Sequence, residues 1–293
     1  MKTDKGMSRL ARGLVGVAIG AGMVSTAMGA ASVSIGISKH NLSTGGSAGN
    51  THVSAGTAEI CVFCHTPHAA DITTAGVPLW NKRLATGGAA FTTYSSSTMN
   101  AVAATDGQGG GSIGSVSLAC LSCHDGAQAM DNMLNAPGSG LYDVTGGGAT
   151  GVAGYTWVGA GANANGQMVN VATSLAMLGK DLNNDHPIGI QYCGGGPGTA
   201  GPAVTCNDTD FIAPTSGTIG GATVFWVDTG TVGRQKTDMI LFNRAFPANG
   251  TQAAGTYPSV ECASCHDPHN VTNGTFLRIS NAASAVCLAC HVK

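Results

Sequence analysis

The chain has 293 residues, of which 43% are hydrophobic, 10% charged and 5% aromatic, with 45 glycines and ten cysteines. Thirteen Lys and Arg against 15 Asp and Glu give a net charge of −2, so there is no basic face of the kind nucleic acid requires. With so few aromatic side chains and so much glycine an ordinary core is thin, and some other apolar mass has to fill it.

The N-terminus reads as a secretory signal. Lys2, Lys5, Arg9 and Arg12 precede an apolar stretch from Gly13 to Met28, and small residues around Ala27, Gly29, Ala30 and Ala31 offer cleavage sites. Residues 1–30 are expected to be removed on export. That leaves 9 basic residues (13 less 4) against 14 acidic ones (15 less Asp4), a net charge of about −5. The stretch is short for a membrane anchor, and no later segment is long enough to span a bilayer.

Four copies of Cys-x-x-Cys-His follow: Cys61–His65, Cys120–His124, Cys262–His266 and Cys287–His291. Each is the attachment signature of a c-type haem: two thiols three residues apart reach the two vinyl groups of one porphyrin edge, and the next residue offers an imidazole to the iron. Ten Cys and nine His in 293 residues predict about 0.01 chance matches, against four observed. A zinc knuckle or a redox dithiol accounts for a single Cys-x-x-Cys but not for the recurring His. The sequence therefore implies four haem c groups held by Cys61, Cys64, Cys120, Cys123, Cys262, Cys265, Cys287 and Cys290, with His65, His124, His266 and His291 as proximal iron ligands.

The motifs form two matching pairs. Cys-x-x-Cys-His-x-Pro-His occurs at Cys61–His68 and Cys262–His269, and Ser-x-x-Cys-Leu-x-Cys-His at Ser117–His124 and Ser284–His291. This internal repeat has a dihaem unit as its element. The expected organisation is a signal at 1–30, a first dihaem unit at 31–135, a Gly-rich insertion at 136–250 and a second dihaem unit at 251–293. Within the insertion Cys193 and Cys206 bracket a loop of Gly, Pro and Ala. They are expected to form a disulfide, worth on the order of 3 kcal/mol by loop-closure entropy.

Regular structure is expected to be sparse: one helix from Met168, Val171, Leu175 and Leu178 with Gly179 as its stop, and short strands at Thr223–Val227 and Met239–Phe242. The Gly-rich runs Gly107–Gly114 and Gly138–Gly166 are expected to lie close against porphyrin faces. The fold class is a multihaem cytochrome c, a mostly irregular chain with short helices and few short strands wrapped around a row of haems.

Five histidines remain for four distal positions. His68 and His269 are tethered too closely to a proximal His to reach round the same porphyrin, and each is expected to serve a neighbouring haem. His40 and His186 complete the set, and His52 is left as a loop residue. Met is the competing distal ligand, but the histidines suffice without it. An enzyme of this class needs an open iron position, which this inventory does not leave, so an electron carrier is expected rather than a reductase.

Ser-Lys-His-Asn-Leu-Ser around His40, Cys-Val-Phe-Cys-His-Thr-Pro-His, Cys-Leu-Ser-Cys-His-Asp-Gly and Cys-Ala-Ser-Cys-His-Asp-Pro-His resemble the doubled-motif multihaem cytochromes of metal-reducing bacteria, most nearly the OmcE type. The resemblance covers the haem segments and His40, not the insertion. It implies a secreted, bis-His tetrahaem protein that polymerises into conducting filaments and passes electrons to other cytochromes or extracellular acceptors. In such a homopolymer one distal His is expected from the adjacent subunit, with His40, near the new N-terminus, as the expected donor. A soluble periplasmic shuttle is the alternative.

Overall fold

A computed structural model describes residues 35–71, 77–84, 91–107, 111–137, 154–172, 175–198, 205–250 and 252–292. The signal segment and parts of both Gly-rich runs, residues 108–110 and 138–153, lie outside the described residues.

Among the described residues regular elements are short and mostly β. The strands are β1 (His52–Ala55), β2 (Thr92–Thr93), β3 (Thr156–Val158), β4 (Asp181–Leu182), β5 (Ile190–Gln191), β6 (Thr215–Ile219), β7 (Ala222–Val227), β8 (Met239–Phe246) and β9 (Gly255–Val260). The helices are α1 (Ser115–His124), α2 (Cys262–Cys265) and α3 (Ala285–Leu288); α1 and α2 each carry both cysteines of a motif, and α3 carries Cys287. The remaining motif, Cys61–Phe63, is a 3-10 turn.

One antiparallel sheet of five strands, in the order β5-β9-β8-β7-β6, contains both predicted strand segments. β6 and β7 are joined by Gly220 and Gly221 at φ of 58° and 83°, the two left-handed residues that a tight hairpin turn needs. Pro258, opposite Asn243, lies one step beyond the β5 pairing, which uses Val260 and Ser259, so its missing N–H costs no ladder bond on that side. β9 runs directly into Glu261 and α2, so the sheet delivers the third motif. Two small pairs, β1 with β3 and β2 with β4, tie the first unit to later chain.

Among the described residues of 168–178, which leave out 173 and 174, the expected helix is not found. Met168 makes a lone bridge with Ala162, and the Asn170 side chain takes both backbone groups of Met177 at 2.9 and 3.0 Å. The amides of Leu178 and Gly179 turn to the His124 carbonyl. An Asn that satisfies the backbone by itself competes with helical bonding, and Leu175 is left 77% exposed.

Three apolar clusters flank the motifs. The first packs Trp80, Phe91, Ile113 and Leu182 on Leu118 and Leu121 of α1; the second packs Leu42, Val53, Phe63, Met130 and Met133; both abut Cys64. The third, Tyr192, Phe225, Val227, Met239 and Leu241, lies against Cys265, Ala289 and Cys290. Cys193 and Cys206 are disulfide-bonded, with Cα atoms 5.4 Å apart.

Candidate haem-binding sites

The first and third motifs fold into the same hairpin. In one, the His65 Nδ1–H donates to the Pro78 carbonyl at 2.9 Å, Thr66 N to Leu79 O, and Asn81 N to Cys64 O. In the other, His266 Nδ1–H donates to Thr275 O at 2.8 Å, Asp267 N to Phe276 O, and Arg278 N to Cys265 O. The His124 Nδ1–H likewise meets Ala176 O at 2.7 Å. A carbonyl can only accept, so these bonds fix the tautomer and leave Nε2 of His65, His124 and His266 as the free lone pair, the arrangement that orients an imidazole toward a metal.

Two histidine pairs have the spacing of axial ligands. The rings of His65 and His269 are 6.2 Å apart between centroids and 14° from parallel; those of His40 and His124 are 6.2 Å apart at 74°. With metal–nitrogen bonds of about 2.0 Å and each centroid about 1.1 Å behind its nitrogen, one metal atom between two imidazoles separates the centroids by about 6.2 Å. Direct ring contact is closer, as His40 shows with Phe276, which stacks on it at 4.2 Å and 5°. No cluster of three or more His, Cys, Asp or Glu suited to a metal ion occurs among the described residues.

The surroundings suit neutral donors. Burial, then the nearby His124, lowers the His40 pKa to about 4, against a hydrogen bond to the Pro268 carbonyl that raises it. Burial also lowers His65 and His124. Only the neutral ring offers a lone pair to iron. Burial pushes the thiols of Cys64 and Cys290 up to about 12, so these sulfurs sit in the apolar surroundings that an uncharged thioether tolerates.

His40, the expected donor to an adjacent subunit, lies near His124 and Phe276 of its own chain, and Asn41, 2% exposed, anchors the turn around it through Gly36 O and Gly45 O at 2.8 and 3.1 Å. The His269 ring lies 6.2 Å from that of the first motif's His65. His68 and His186 are exposed, and among the described residues neither faces a second imidazole. His52 sits in β1 opposite Val158, its Nδ1 on Asn50 O at 2.9 Å. His291 packs against Phe211, with centroids 4.4 Å apart.

The sequence reading missed the residues that join motifs two and three. Glu261, 1% exposed, accepts from Ser117 Oγ at 2.5 Å and Gly114 N at 3.4 Å and is ion-paired with Arg244, which also meets Asp106 at 2.6 Å. Ser117 Oγ in turn accepts from Cys262 N at 2.9 Å. A Cβ on Gly114 would collide with Arg244 and Glu261. The network seats α1 on α2, and the Cys120 and Cys262 thiols touch, which brings cysteines of two attachment motifs together. Ser117 stood out in the sequence as a repeated residue, but its counterpart Ser284 is exposed, at φ 62°, and makes no such clamp.

No helix among the described residues is long and apolar enough to cross a membrane. Comparison with curated proteins returns no match. Residues 257–293, which hold the last two attachment motifs, match the doubled CXXCH motif family, a match that supports covalently bound haem c and electron transfer there.

Proposed function

We propose that the chain is an exported tetrahaem cytochrome, not an enzyme, that conducts electrons along bis-histidine haems as the subunit of an extracellular filament. The observation that carries the reading is the pair of 6.2 Å imidazole spacings, His65 with His269 and His40 with His124. Each haem, when bound, supplies a one-electron iron couple. The chain's own part would be to hold each iron between two neutral imidazoles, which favours low potential and leaves no position for substrate, while Cys120 and Cys262, in contact, would hold two of the haems.

The repeat assigns the remaining ligands. His269 of the third motif serves the iron of His65, so His68 of the first motif serves that of His266. His186 then remains for the iron of His291, and in the filament it comes from the adjacent subunit. Two exposures support a docking end. Leu79, the counterpart of Phe276 in the first hairpin, is 54% exposed where Phe276 covers an imidazole, and Leu288 and Val292 beside the last motif are 46% and 55% exposed. Contacts of this kind, joining different faces of like subunits, build open filaments.

The test is electron microscopy of the secreted fraction together with haem counting and EPR of the purified protein. Filaments with four low-spin haems per chain are expected. A substantial high-spin ferric signal would favour a reductase instead, and a monomer with four bis-His haems would end the filament reading.

A further inference from the structure

The segment from Cys265 to Arg278 serves three iron positions at once. It carries His266, it carries His269 opposite His65, and it covers His40 with the Pro268 carbonyl and the Phe276 ring. Phe276 reaches that place by an uncommon backbone. Thr275 and Phe276 stand at φ of 54° and 60° in succession, a region that residues other than glycine enter rarely and at a cost. Two consecutive left-handed residues persist only where the surroundings over-determine them, and such outliers gather at functional sites.

Both residues have a task in that turn. The Thr275 carbonyl orients His266 at 2.8 Å, and the Phe276 ring lies flat on His40 at 4.2 Å. One face of the His40 ring is thus closed by Phe276, while its edge is tied to Pro268. The ring cannot swing away from His124 without breaking the stack.

We infer that Phe276 is a positioning residue, which locks His40 as the distal ligand of the haem attached at Cys120 and Cys123 and so couples that iron to the turn that orients His266. The inference rests on the reading of His40 and His124 as one axial pair. It assigns to a residue of the second dihaem unit the ligand stability of a haem in the first. Leu79, at the same place in the first hairpin, has no π face and cannot act in this way.

The experiment uses full-length secreted holoprotein and reads haem content, EPR signals and carbon monoxide binding to the reduced protein. His40→Ala is expected to open one iron per chain to carbon monoxide. Phe276→Ala is expected to keep four haems and raise carbon monoxide binding at that same iron about fivefold, the effect of losing one aromatic contact. Phe276→Tyr should restore the wild-type behaviour, and His40→Ala with Phe276→Ala should bind no more than His40→Ala alone. If Phe276→Ala sheds haem, Phe276→Leu, which keeps apolar bulk without the π face, takes its place with the same expectation. Wild-type binding and EPR in the Phe276 variant, beside one opened iron in His40→Ala, would overturn the inference and leave the axial pair standing. Opening of several irons would overturn it too, since that is loss of structure. An unopened His40→Ala would remove the axial pair and the inference with it.

Discussion

His65 and His269, from the first and third motifs, face each other at 6.2 Å with nearly parallel rings. The second motif pair thus brings an imidazole beside the proximal histidine of the first.

That relationship predicts where a ligand mutation is felt. His269→Met should leave the haem of Cys262 and Cys265 nearly unchanged and should alter the axial signature of the haem at Cys61 and Cys64, raising its potential as Met replaces His. Haem-resolved NMR or EPR of the variant checks this. A change confined to the haem of His269's own motif would show that the facing rings do not share an iron.

Part of this was legible in the sequence because covalent haem attachment imposes a local pattern. The four motifs follow from spacing, and the strand segments in β7 and β8 from short apolar runs. The carbonyls that orient His65 and His266 were not legible, since they lie 13 and 9 residues downstream and any residue supplies a carbonyl. The site of His40 depends on Phe276, a contact across more than half the chain. The failed helix at 168–178 had the right apolar period, but Asn170 satisfied the backbone locally.

The Glu261 network gives a second prediction. Burial pushes the Glu261 carboxyl up, while Arg244, Ser117 and the Gly114 amide pull it back toward the ionised form. Glu261→Gln takes the charge from a buried pair and should cost about 3 kcal/mol, visible as a lowered denaturant midpoint. Glu261→Met with Arg244→Met should cost less than the two single changes added together, because neither leaves a buried charge without its partner. Full additivity would show that the two side chains act independently.

Asp131 predicts a pH dependence. It is 2% exposed beside the fully buried Lys82, whose Nζ donates to Ala129 O at 2.8 Å. Burial raises the Asp131 pKa above its ordinary 3.8, against the Tyr155 amide, the Trp157 indole and the Lys82 charge, which lower it. A folded value above the unfolded one means that the folded state holds the proton more tightly. Its contribution is therefore fully present below 3.8 and is lost as pH rises through the raised folded value. The slope in that window is at most about 1.4 kcal/mol per pH unit. Asp131→Asn, which cannot ionise, should flatten the stability profile over that interval and leave the rest of the curve parallel to wild type. Unfolding free energies from pH 4 upward measure it, and an unchanged slope in the variant would assign the titration to another group.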